Sequence, residues 1–353
     1  MCKRIFANQT SEQGDVPFFK IGTIGGTPDA YITRDLFEEY KAKYNYPHEG
    51  EVMITCAGTV GKTIVFDGED AYFQDSNIVW LSNPKQLYIN SFLNYVLSRV
   101  NWNILNSTTI TRIYNDNLRE LVINYPSIKE QEKIVALLSL LDLRIAIQNK
   151  VIEDLKKLKS AFCEKMYDES NPNTRLADII EQQSIRNKAG EDLKVLSVSN
   201  RYGFVEQSEQ FEDRTIASED TSNYKIVALN DFAYNPARIN VGSIARLKNF
   251  ENGIVSPMYI CFRCKGSVLP EFLEPFFSTK YFSLEMGKRL EGSVRMCLSF
   301  EGLCNIPINI PSYEEQTETA KKVNALSEKL RLEESYSILL SAQKEYILSQ
   351  MFI

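Results

Sequence analysis

Histidine is almost missing from this chain: His48 stands alone among 353 residues. No metal site built from several histidines can form, and a Ser-His-Asp arrangement would rest on the turn Tyr46-Pro47-His48-Glu49-Gly50 alone. Long apolar runs are missing too, and none approaches the length needed to cross a bilayer. The opening Met1-Cys2-Lys3-Arg4-Ile5-Phe6 has no apolar stretch like that of a signal peptide, so a cytoplasmic chain with no membrane partner is expected. An excess of positive charge is also lacking. The formal net charge is -6, and the segments 1–126, 127–170, 171–311 and 312–353 carry -3, 0, -1 and -2. Phosphate neutralisation supplies nearly all non-specific DNA affinity. A freestanding nucleic-acid binder is therefore disfavoured, and any DNA contact needs local patches or positive charge from partners. Seven cysteines, an odd number at irregular spacing, predict reduced thiols and not a disulfide framework.

Three short patterns resemble catalytic chemistry and fall short of it. Gly58-Thr59-Val60-Gly61-Lys62-Thr63 ends like a phosphate-binding loop, but Cys56 stands where the first glycine belongs, so a tight turn between strands is expected. Cys261 and Cys264 form a Cys-x-x-Cys, yet Cys297 and Cys304 downstream are too widely spaced for the second close pair of a zinc ribbon. Buried reduced thiols are the expectation there. Asn235-Pro236 opens like an adenine methyltransferase motif, but Ala237-Arg238 follows it and no glycine-rich cofactor fingerprint accompanies it. No cofactor and no catalysis are expected of this chain.

What the chain does have is a repeat of itself. Pro126-Ser127-Ile128-Lys129-Glu130-Gln131 returns about 185 residues later as Pro311-Ser312-Tyr313-Glu314-Glu315-Gln316. Each motif opens a stretch with alternating four- and three-residue spacing. The first seam runs Ile134, Leu138, Leu141, Ile145, Gln148, Ile152, Leu155, Lys159, Phe162, Met166. The second runs Thr319, Val323, Leu326, Leu330, Glu333, Ser337, Leu340, Lys344, Ile347, Met351. The polar breaks Gln148 and Lys159 fall on Glu333 and Lys344. This spacing predicts two helices of about 40 residues, each roughly 60 Å long, that pack as a coiled coil.

The segments before the helices also repeat. Glu51-Val52-Met53-Ile54-Thr55 with Gly58-Thr59-Val60-Gly61-Lys62 parallels Asp231-Phe232-Ala233-Tyr234-Asn235 with Ile239-Asn240-Val241-Gly242-Ser243. Ser91-Phe92-Leu93 parallels Glu271-Phe272-Leu273, and Arg112 is paired with Arg295. Both segments read as strand-rich and mixed, with Gly, Asn, Asp and Pro marking turns. The predicted order is a mixed α/β (α+β) domain over 1–126, a spacer helix over 127–170, a second domain over 171–311 and a second spacer helix over 312–353.

In these residues the chain resembles the specificity subunit of type I restriction-modification systems. The resemblance is carried by the two Pro-Ser-x-x-Glu-Gln openings, by Phe19-Lys20-Ile21-Gly22-Thr23 with Gly25-Gly26-Thr27-Pro28-Asp29-Ala30-Tyr31, and by Tyr234-Asn235-Pro236-Ala237-Arg238 followed by Gly242-Ser243. It implies two target-recognition domains of similar fold, related by a pseudo-twofold repeat, each reading one half of a split double-stranded DNA target. The helices would lie antiparallel as a spacer and dock two methyltransferase subunits, with restriction subunits joining the complex. S-adenosylmethionine would belong to the methyltransferase partners. One departure is visible: the second copy has a lead-in from Asn171 to Leu193, whereas the first opens at Cys2-Lys3-Arg4, inside the matching segment, so its opening edge is expected to be shorter.

Base readout favours Arg, Lys, Asn and Gln, with phosphate contacts from hydroxyls and backbone amides. The turn-rich segments supply Lys20, Tyr31, Lys62, Thr109, Thr111 and Arg112 in the first domain. In the second they supply Arg201, Arg238, Asn240, Ser243, Ser293 and Arg295. A fold-stabilising role for each is the alternative. For the whole chain the alternatives are a coiled-coil interaction protein without DNA binding, or a DNA-modifying enzyme, for which no cofactor loop is found.

Overall fold

The computed structural model describes residues 1–84, 86–102, 112–167, 172–207, 221–292 and 295–352. It divides into two compact units. Residues Met1–Gln148 and Tyr336–Ile353 form the first, and Asn149–Ser335 the second. Each unit therefore holds one mixed domain and a stretch of both long helices.

In chain order the first unit contains β1 (Val16–Phe19), β2 (Tyr31–Ile32), α1 (Arg34–Lys43), β3 (Val52–Thr55), β4 (Thr63–Val65), β5 (Tyr72–Phe73), β6 (Ile78–Leu81), α2 (Asn90–Arg99) and α3 (Asn115–Arg119). The first long helix, α4, spans Ile128–Met166. The second unit adds β7 (Thr174–Arg175), α5 (Leu176–Ile179), β8 (Ile180–Gln183), β9 (Val195–Ser199), β10 (Gly203–Glu206), β11 (Lys225–Ala228), β12 (Phe232–Tyr234), β13 (Ile244–Arg246), β14 (Asn252–Val255) and β15 (Ile260–Cys264). It continues with α6 (Pro270–Phe276), α7 (Lys280–Gly287), α8 (Phe300–Cys304) and β16 (Pro307–Ile308), and α9 (Tyr313–Met351) is the second long helix.

The repeat is reproduced as strand register. In the first unit β3 lies between β4 and β6, pairing Val52 with Val65 and with Leu81. In the second β12 lies between β13 and β15, pairing Phe232 with Arg246 and with Phe262. A parallel contact recurs as well, Phe18 to Tyr72 in one unit and Ile254 to Val195 in the other. Because side chains alternate along a strand, β3 sends Val52 and Ile54 into one cluster with Leu93, Leu97 and Trp102, and Met53 into another with Phe37 and Tyr72. β12 does the same, with Phe232 and Tyr234 on one side and Ala233 on the other. Both faces are covered, which is why these short strands read as unbroken apolar runs.

The two sheets differ at one edge. In the second unit β8 pairs antiparallel with β15, and Leu176 and Ile179 just before it are buried in the core. Among the described residues of the first unit no strand pairs with the corresponding edge of β6.

Every predicted seam position on α4 and α9 is buried or half-buried except Met351. Leu138 and Leu348 pack with Tyr95 in the first unit, beside Ile134, Leu141 and Ile347. In the second unit Lys156 pairs with Glu334 at 2.7 Å. An early residue of α4 meeting a late residue of α9 marks an antiparallel pair. No helix among the described residues is long and apolar enough to cross a membrane.

Candidate nucleic-acid interface

Hydrogen bonds repeated between the units hold the loops that carry the sequence-predicted residues. Gly50 and Asn230 both adopt left-handed backbone (φ 82° and 72°), and their N–H groups donate to the carbonyls of Phe66 and Leu247. One residue later, the carboxylates of Glu51 and Asp231 accept from the backbone N–H of His48 and Ala228 at 2.9 and 3.0 Å. The hairpin ends are closed by Gly61 and Gly242, with φ of 84° and 86°. A Cβ at Gly61 would clash with the Cδ1–Nε1 edge of the Trp102 ring, so this turn needs glycine for space as well as for conformation.

In the first unit the loop from Thr55 to Lys62 is bound from three directions. The Thr55 hydroxyl accepts from the Lys62 backbone N–H at 3.0 Å. The Lys62 ammonium donates to the Ile24 carbonyl, and the Ile113 N–H donates to the Cys56 carbonyl at 2.9 Å. The structure thus gathers Lys62, the turn after Lys20, and Arg112. Lys20 is ion-paired with Asp29 at 3.0 Å. The Arg112 guanidinium lies 5.8 Å from the Tyr114 ring centroid and donates to the Ser76 carbonyl at 3.4 Å. Tyr31 is half-buried in β2, paired with Pro17. Thr109 and Thr111 lie outside the described residues.

In the second unit three loops meet in the same way. The Asn200 amide donates to the Val241 carbonyl at 3.3 Å, joining the Arg201 turn to the 3₁₀ turn Ile239–Val241. The Leu298 N–H donates to the Pro236 carbonyl at 3.1 Å and brings in the segment that holds Arg295. Arg201, Arg238, Asn240 and Arg295 are exposed. Among the described residues none of the three arginines has a carboxylate partner. Ser293 lies outside the described residues.

Two sequence expectations need correction. Ser243 is 5% exposed and its hydroxyl donates to the Val198 carbonyl at 3.2 Å, so it braces the loop from within and has no surface to offer a ligand. The pairing of Arg112 with Arg295 also slips. The shared bond aligns Ile113 with Leu298, which sets Arg112 opposite Cys297, with Arg295 two residues earlier.

Cys261 and Cys264, three residues apart on β15, enter different apolar clusters. Opposite faces of one strand cannot converge on a single ion. Burial pushes both thiols up to about 12, and Cys2 and Cys56 up to about 11. His48 sits at a turn with its ring exposed.

The repeated motif at the helix openings, without an assigned role in the sequence reading, proves to be a fastener. Gln131 and Gln316 are 0% and 1% exposed. The side-chain oxygen of Gln131 accepts from the N–H of Ile89, the residue before α2, at 2.7 Å, and its amide donates to the carbonyl of Pro126 at 2.9 Å. Gln316 accepts from Leu269, the residue before α6, at 2.9 Å, and donates to Pro311 and Ser267 at 3.0 and 3.2 Å. Glu315 caps the start of α9, accepting from the Ser312 N–H at 3.0 Å and from its hydroxyl at 2.7 Å. This is a capping box. Its hydrogen bonds hold the Glu315 carboxyl below the ordinary range.

Residues 1–157 match the family described as the type I restriction modification DNA specificity domain. A Haemophilus influenzae protein named as a type I restriction enzyme specificity subunit is 50% identical over 155 residues. That match takes in 44% of this chain, which spans about two fifths of the relative's length (40%). Among solved structures, the S subunit of a type I restriction-modification system from M. genitalium aligns over 100% of this chain and 92% of its own, with 18% identity and a TM-score of 0.59. A second, described in terms of complex assembly and conformational transition of the type I restriction-modification system, aligns over 96% and 91%, with 13% identity and a TM-score of 0.56. At these identities the structural matches speak for the fold.

Proposed function

We propose that this chain, whose residues 1–157 match the type I restriction modification DNA specificity domain family, is the sequence-reading subunit of a type I restriction-modification complex. The observation that carries the reading is the repeated register. Two units share one hairpin geometry and one set of loop-holding hydrogen bonds, yet present different side chains. Lys20, Lys62 and Arg112 occupy the loops of one unit, and Arg201, Arg238, Asn240 and Arg295 those of the other. Related scaffolds with unlike loops suit a bipartite, asymmetric target in double-stranded DNA, since base identity is read by side chains and position by backbone contacts.

The long helices support the second half of the reading, docking of methyltransferase subunits. Leu140, Leu143 and Ile147 on α4 are exposed on the side away from the seam, and Leu137 is exposed on its flank. Apolar residues at helical spacing left in water are the mark of a partner surface. Catalysis and S-adenosylmethionine belong, in this reading, to those methyltransferase subunits, and restriction subunits add to the complex they form. The test is to reconstitute the chain with its methyltransferase and map methylated adenines across a genome. Two different short half-sites separated by a constant unread gap are expected. A palindromic or single-block motif overturns the bipartite reading, and methylation by the isolated chain overturns the non-catalytic role.

A further inference from the structure

The repeat exposes a difference between the units that bears on binding. In the first, Lys344 of α9 is ion-paired with Asp142 of α4. Its ammonium lies 5.6 Å from the Tyr95 ring centroid, and the Tyr95 hydroxyl donates to Asp142 at 2.7 Å. The three residues saturate one another. Shifting by the repeat offsets, the corresponding residues of the second unit are Lys159, Ser327 and Pro275. The lysine is kept, but its carboxylate is now a serine and its ring a proline. Lys159 is half-buried and has no carboxylate partner among the described residues.

Where the first unit closes this contact, the second has a cavity of about 470 Å³, lined by Lys159, Ser327 and Pro275 and by Arg201, Lys248 and Asn324. Arg246, also on its wall, is neutralised by Glu271 and Glu274, and Lys248 by Glu274. Among the described residues, Lys159 and Arg201 are left without a carboxylate partner. Glu274 on this wall is taken up by Arg246 and Lys248, so an anion that joins Lys159 and Arg201 is favoured: it offsets their mutual repulsion and the hydration lost by the half-buried Lys159 ammonium. Asn324 adds a neutral amide donor at the same wall, while the Ser327 hydroxyl donates to the Val323 carbonyl at 2.7 Å; two cations and an amide suit the oxygens of a phosphate.

We propose that this cleft of the second unit is a phosphate-binding site, with Lys159 and Arg201 as its binding cations and Ser327 as the residue whose loss of a carboxylate opens it. Its ligand as a DNA backbone phosphate rests on the function proposed above; the phosphate chemistry itself does not. The experiment titrates the full-length chain with pyrophosphate, and separately with duplexes of several sequences. The chain is compared with Lys159→Gln, with Ser327→Asp, which restores the first unit's carboxylate, and with Lys344→Gln as the control in the other unit. Lys159→Gln and Ser327→Asp are expected to weaken pyrophosphate binding about tenfold, with Lys344→Gln unchanged. If DNA supplies the phosphate, Lys159→Gln also weakens every duplex by a similar factor and lowers the salt slope by about one. If a free phosphate compound supplies it, pyrophosphate binding falls while duplex affinity holds. An original chain that binds neither probe, or variants that match it within twofold on both, overturns the site. A chain that passes the pyrophosphate test but directs no methylation when assembled leaves the cleft standing and removes the DNA role.

Discussion

Gln131 and Gln316 show how much one buried side chain can carry. Each amide satisfies the backbone at the start of a domain helix and at the start of a long helix, so replacing it with an apolar residue strands several buried polar groups at once. An unsatisfied buried donor or acceptor costs about 1–3 kcal/mol. Gln131→Leu and Gln316→Leu are each expected to lower unfolding free energy by at least that much in urea titrations, and a loss below about 0.5 kcal/mol would contradict the fastener role. The buried thiols act in the opposite sense with pH. Cys2 and Cys56 are raised from 9.0 to about 11, and Cys261 and Cys264 from 9.0 to about 12, because burial disfavours the thiolate. An unfolded chain releases these protons near pH 9 while the folded chain still holds them. Stability is therefore full below pH 9 and falls as pH rises through the window up to about 11 to 12. Half-buried Tyr46 and buried Tyr72, also pushed up by burial, add to the same trend at higher pH. Urea midpoints at pH 8, 9 and 10 check it; a flat profile would exclude it.

At the scale of elements, the helix pair is held by a narrow seam. Leu138 is fully buried and Leu348 is 3% exposed, while much of the remaining surface of both helices is open to water. Helices of 39 residues that packed only on their own domains would not need a seam along their whole length. Leu138→Ala is expected to cost about 2–5 kcal/mol through the cavity it leaves. Leu140→Ala, at a 66% exposed position, is expected to stay within about 0.5 kcal/mol. Thermal unfolding of the two variants separates them, and equal effects would mean that the seam lies elsewhere. The helix positions were legible beforehand because the 3-4 spacing repeats over ten positions in each copy. The fastening glutamines were visible in the same motif, but nothing local marks a glutamine as buried.

For the molecule as a whole, two tests follow from treating the helices as both spacer and dock. Excising one heptad from α4 and its matching heptad from α9 is expected to change the length of the unread gap in the methylated motif and to leave both half-site sequences alone. Altered half-site letters would end the spacer idea. Leu140→Asp with Leu143→Asp is expected to abolish co-purification with the methyltransferase while preserving the far-ultraviolet circular dichroism of the chain. Retained association would move the dock off this face. Neither outcome depends on the phosphate cleft, so the three ideas can fail separately.

The duplication, the helix registers and the mixed character of both domains are legible in the chain alone, because spacing of apolar residues and turn chemistry are local and survive divergence. It also marks the hairpin ends, since Gly61 and Gly242 stand where the backbone turns left-handed. Which cations in the loops are neutralised is settled by packing between distant segments. Lys20 and Lys62 are held by Asp29 and the Ile24 carbonyl, Ser243 is turned inward, and Arg201 has no carboxylate partner among the described residues. The contrast between Lys344 and Lys159 belongs to the same class. A lysine's charge is written in the chain, but whether that charge is neutralised depends on residues far away in sequence, Asp142 in one unit and Ser327 in the other, that meet it only when the helices pack.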